Sequence, residues 1–93
     1  MANAEQAQRC RALFSEVVMT AIKDYARDGD KGVAAMERWA NSRDGQLVIT
    51  SAGIEHSPQV VNALTEKVRR KVAAQKKREA ARKAAQAAAI AAL

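Results

Sequence analysis

Nine cationic side chains fall within seventeen residues, Lys67, Arg69, Arg70, Lys71, Lys76, Lys77, Arg78, Arg82 and Lys83, with Glu79 the one acid among them. Ammonium and guanidinium groups at this density suit the neutralisation of a polyanion. Each nucleic-acid phosphate they pair with releases condensed counterions, and the affinity gained requires no particular base sequence. No Trp, Phe or Tyr interleaves with them, so unpaired bases find no stacking platform, and the expectation favours duplex DNA over RNA. Two blander readings compete: a solvated run of good helix formers that keeps the protein in solution or self-associates, and a contact for an acidic protein. A membrane surface is disfavoured, because alanine stands where an interfacial helix carries Trp, Phe or Leu.

Other reactive residue types are sparse. His56 is the single histidine and has no second ligand or base partner nearby in sequence, so it reads as an exposed loop residue. Cys10 is the single cysteine; it falls on an apolar stripe, which predicts packing rather than reactivity and excludes an intramolecular disulfide. The carboxylates are scattered without pairing and the glycines form no phosphate-binding loop. The expectation is a non-enzyme with no cofactor and no metal. Gln59 and Asn62, near Lys67, are chemically suited to reading base edges if the chain segment around them enters a major groove.

The charge is divided along the chain. Residues 1–66 carry seven Lys/Arg against nine Asp/Glu, a balance of −2, and residues 67–93 carry nine against one, a balance of +8, so the whole net charge of +6 resides in the tail. That asymmetry is the signature of an arm that meets an anionic surface. Apolar residues make up 48% of 93, but many are alanine and only one Phe, one Trp and one Tyr are present, so the core must be thin. A polar start with no apolar secretion segment, and an alanine-rich stretch far shorter than a bilayer span, lead to the expectation of a cytoplasmic protein.

Four helices are needed to position these groups. Over residues 4–27, Ala7, Cys10, Leu13, Phe14, Val17, Val18, Ala21, Ile22 and Tyr25 recur at steps of three and four, the pattern of one amphipathic face. Asp28-Gly29-Asp30 predicts a turn, with Asp30 capping a second helix over residues 31–41 that sets Val33, Met36, Trp39 and Ala40 on one side, Trp39 as core anchor. Ser42 as N-cap and Asp44 in the first turn start a third helix over residues 43–51, with Leu47, Val48 and Ala52 inward and Gly53 ending it. Ser57-Pro58 starts the fourth, whose Val61, Leu64, Val68 and Val72 continue the core and after which neither Pro nor Gly intervenes. The predicted fold is all-α: a three-helix body with helix-turn-helix-like third and fourth helices over residues 1–72, and a basic arm over residues 67–93.

Trp39, Ser42, Asp44, Val48 and Ala52-Gly53-Ile54 together resemble a pattern of small uncharacterised phage and prophage proteins of proteobacteria, over about sixteen residues by the spacing of those positions. This chain departs from that pattern with Gly45 where an aromatic is usual and with a later proline, Pro58. The resemblance implies a phage-encoded protein of the bacterial host cytoplasm. Two functions are compatible with it: a DNA-binding regulator or packaging accessory using the arm, such as a small terminase-like subunit, and a protein-binding inhibitor or modulator of a host complex. The long stripe of the first helix also suggests one half of a homodimer interface.

Overall fold

A computed structural model describes residues 4–93, so positions 1–3 of the predicted body lie outside the described residues. Four helices make up the fold: α1 Ala4–Arg27, α2 Asp30–Asn41, α3 Arg43–Ser51 and α4 Pro58–Ala91, with no strand among the described residues. The all-α class and the extended last helix are therefore as predicted. The molecule measures 70 × 26 × 17 Å with a radius of gyration of 18.0 Å. A compact chain of this length would have a radius of about 12 Å, so α4 extends well beyond the body.

Local chemistry accounts for the helix ends. Ser42 Oγ accepts from the Gly45 N–H at 3.0 Å, and Ser57 Oγ accepts from the Val60 N–H at 3.2 Å with Pro58 opening α4, which gives α3 and α4 the N-caps their sequences predict. At the end of α3 the Ile54 N–H donates to the Ile49 carbonyl and the Gly53 N–H to the Thr50 carbonyl, with Gly53 at φ +83°. This is a Schellman closure, and the left-handed position in it favours glycine. Asp30 behaves differently from expectation. The α2 N-cap is Gly29, without a side-chain cap, and Asp30 is the first helical residue, its carboxylate 2.8 Å from Lys76 Nζ on α4.

The core comprises Val18, Ile22 and Ala26 of α1, Met36 and Ala40 of α2, Ile49 of α3, Ala52, and Val61, Leu64, Val68 and Val72 of α4. Thr65 is buried with them and satisfies its hydroxyl by donating to the Val61 carbonyl at 2.8 Å. Trp39 packs at the edge rather than the centre: it is half-buried, its ring 6.4 Å from that of Tyr25. Gly45 marks the closest approach of α2 and α3, since a Cβ there would stand 1.8 Å from the Trp39 carbonyl oxygen. Hydrogen is the only side chain that site accepts, which explains a glycine inside a nine-residue helix.

Several expectations need correction. Leu47 is 66% exposed and Ile49 is the buried residue of α3, because the inward face runs through Gly45, Ile49 and Ala52 at steps of four and three and leaves Leu47 pointing away. Cys10 is exposed, as are Leu13 and Val17, because the core-facing side of α1 runs through Phe14, Val18, Ile22 and Ala26, leaving the rest of the apolar stripe to one side of it. His56 is half-buried rather than exposed, and its Nε2 donates to the Ala40 carbonyl at 3.0 Å, tying the α3–α4 connection to the end of α2. The third and fourth helices follow one another across a short turn, as in a helix-turn-helix, but α3 packs on α1 and α2 and makes no close backbone approach to α4.

Candidate nucleic-acid interface

Burial on α4 ends at Val72, and every residue from 73 to 93 is exposed. All nine predicted cations are exposed. They are not equivalent, because α4 distributes them over different faces and different partners. Arg69 Nη1 lies 2.6 Å from Glu66 Oε2, and Arg70 Nε lies 3.5 Å from Glu66 Oε1, so one carboxylate partly neutralises both. Lys76 is paired with Asp30. Among the described residues Lys67, Lys71, Lys77, Arg78, Arg82 and Lys83 have no acid within ion-pair distance.

Helical register sorts these unpaired cations. At about 100° per residue, Lys67, Lys71, Arg78 and Arg82 fall within one 60° sector, a stripe about 22 Å long at ~1.5 Å per residue. Lys77 and Lys83 point elsewhere by the same register. Where the stripe leaves the body, α1 adds to it. Lys23, Ala26 and Arg27 of α1 and Lys71, Ala74, Gln75 and Arg78 of α4 line one open cleft of about 270 Å³. Four cations thus face a single concavity between two helices. Only Arg27 has an acid neighbour, Asp24 at 3.6 Å, and that pair is solvent-exposed and worth well under about 1 kcal/mol.

Lys23 and Arg27 lie off the apolar stripe of α1. Nothing local marks them as site residues; only the side-by-side placement of the end of α1 and the middle of α4 brings them to Lys71 and Arg78. Their position in the last turns of α1 offered a weaker hint, since cations there complement the helix dipole whatever else they do.

Gln59 and Asn62 lie apart from the stripe. Both are exposed and line a second, polar cleft with Glu37, Ala63, Thr65, Glu66 and Arg69. Two carboxylates border it, and the Glu66 carboxylate occupies Arg69 and Arg70. The two carboxylates are offset by Arg69 and Arg70, so this cleft lacks the net positive charge of the stripe. No group of three or more His, Cys, Asp or Glu is placed to hold a metal among the described residues. No described helix is long and apolar enough to cross a membrane.

No curated protein and no solved structure matches the chain. A family match, by contrast, extends over residues 6–88, from the first turn of α1 through the cationic stripe to the distal part of α4, and the chain belongs to that family, DUF6280, a family of unknown function.

Proposed function

We propose that this protein is a non-enzymatic nucleic-acid-binding accessory or regulatory protein that engages phosphate backbone, duplex DNA in preference to RNA, through the cationic stripe of α4. The observation that carries the reading is the convergence of Lys23, Arg27, Lys71 and Arg78 on one cleft, continued along α4 by Lys67 and Arg82. A concave cluster of cations concentrates positive potential more than the same charges spread on a convex surface, and it suits a rod of phosphates. The recognition is of backbone rather than sequence, because Gln59 and Asn62 stand apart from the stripe and beside acids. An origin in phage, suggested by the Trp39 to Ile54 pattern, fits a small accessory of this kind working in a bacterial cytoplasm.

The test compares two charge-matched double variants against random duplex DNA over a range of salt. Lys71→Gln with Arg78→Gln removes two stripe cations; Arg69→Gln with Arg70→Gln removes two that share Glu66. The first is expected to lower the slope of log affinity against log salt by about 2, and the second by less than 1. Equal losses from both would dismiss the stripe. A wild-type chain that ignores duplex at low salt, yet holds a host protein at high salt, would replace this function with that of a protein-binding modulator.

A further inference from the structure

Apart from the charged stripe, two extended apolar features of the surface lack a partner among the described residues. One is a groove on the outer side of α1 and α2, of about 490 Å³, lined by Leu13, Val17, Ala21, Tyr25 and Trp39 together with the polar Glu16, Thr20 and Asp24. Leu13 is 64% and Val17 42% exposed, and both aromatic rings are only half-buried. A folded monomer gains nothing by leaving Leu13 and Val17 at the surface beside its only Trp. The other feature is the distal part of α4, residues 84–91, in which Gln86 is the one polar residue, the others are alanine, and Ile90 is 70% exposed. These two cannot meet within one chain, because α4 runs unbroken away from the body.

We infer that residues 84–91 of one copy seat in the α1–α2 groove of a second copy, with Ile90 against Val17 and Trp39, to form a reciprocal homodimer. Three observations select this occupant. The groove is long enough for the segment: from Leu13 to Tyr25 it spans about 18 Å, and residues 84–91 need about 11 Å, at ~1.5 Å per residue. The charges agree at one end, since Ile90 against Val17 brings Arg82 and Lys83, which immediately precede the segment, to the end of the groove at Asp24, whose existing pair with Arg27 is long and solvent-exposed. The shapes agree as well, because a helix faced with alanine admits close approach of its backbone, with Ile90 projecting into the groove and Gln86 one turn before it on the same face, near the polar end of the groove. The segment lies far enough along α4 for its own body to stand clear. An antiparallel twofold arrangement then places each segment at the other copy's groove, closing the assembly instead of propagating it. Lys67, Lys71 and Arg78 lie outside the contact, so most of each cationic stripe stays open to solvent and only Arg82 is shared with the interface. The inference does not depend on nucleic-acid binding and is tested without it.

The experiment is sedimentation equilibrium of the full chain at tens to hundreds of micromolar, with site-directed cross-linking. A wild-type dimer that weakens at least tenfold in Ile90→Glu and in Val17→Glu, with helical circular dichroism unchanged, is the expected result; both residues are exposed, so neither change strains the fold. With Cys10→Ser as background, equimolar Val17→Cys and Ile90→Cys chains should form a mixed disulfide under mild oxidation. A monomeric wild-type chain at these concentrations overturns the inference. So does a Val17→Cys chain that cross-links to itself and not to the Ile90→Cys chain, which would assign the groove to a symmetric α1–α1 contact.

Discussion

The two halves of α4 are one helix held by two different kinds of force. From Pro58 to Val72 the helix presents Val61, Leu64, Thr65, Val68 and Val72 to the core, and α1 and α2 both pack on it. From residue 73 onward no side chain is buried. That second half rests on intrinsic propensity, since Ala, Lys, Arg and Gln are among the best helix formers and compose nearly all of it. An isolated peptide of that length would be marginal because nucleation is costly, but here the buried half supplies the nucleus and the arm only propagates it. A helix can thus be extended well past its core without added tertiary contact, provided its first turns are fixed.

The largest expected effect falls at Gly45 of α3, in the body that anchors the packed half of α4. Replacing glycine by alanine inside a solvent-facing helix normally stabilises by up to about 1 kcal/mol. Gly45→Ala should instead destabilise by about 3 kcal/mol, because the new Cβ collides with the Trp39 carbonyl and α2 and α3 must separate. Urea denaturation reads this directly, and a neutral or stabilising result would mean that the α2–α3 approach is not as close as described. Val68→Ala, at a fully buried position of the packed half, should cost about 2 kcal/mol by the same measurement.

Smaller effects sharpen the contrast. Ala81→Gly in the arm should cost about 1 kcal/mol of local helix stability and leave the urea midpoint of the body unmoved. Native-state hydrogen exchange separates the two halves further: amides of residues 62–72 should exchange near the global limit, and those of residues 80–91 by fraying with far lower protection. In the inferred dimer the latter gain protection as concentration rises, so the exchange experiment is done at low micromolar protein. The weakest change is Asp30→Asn, which removes an exposed pair with Lys76 and should shift stability by about 0.5 kcal/mol or less.

Much of this organisation was legible in the residues. Ser42, Gly53 and Ser57-Pro58 each act through hydrogen bonds to their immediate neighbours, so the boundaries of α3 and the start of α4 could be read from local chemistry. The valines of α4 were legible for a related reason, since a 3/4 stripe specifies a face. Periodicity cannot say how much of a face is covered. Cys10, Leu13 and Val17 continue the α1 stripe faultlessly, yet all three are exposed, Leu13 and Val17 on the open wall of the groove beside Trp39. In α3, nine residues with apolar side chains at three consecutive positions define no clear stripe, and Ile49 rather than Leu47 faces inward because Gly45 admits the close approach to α2. The site divides likewise: the arm cations were plain in composition, whereas the contribution of Lys23 and Arg27, and the partial neutralisation of Arg69 and Arg70 by Glu66, depend on side-by-side helices and register.

One consequence of the unbroken backbone from Pro58 to Ala91 is mechanical. Neither proline nor glycine interrupts it after the first residue, and the i to i+4 ladder passes from core to arm without a joint. The arm is a cantilever clamped at Val68 and Val72, not a tether. Under the proposed function, its cations would meet a polyanion with their azimuth and spacing already set, so little orientational freedom would be surrendered on contact. A torque applied at the tip is delivered directly to the helix that the body is built around.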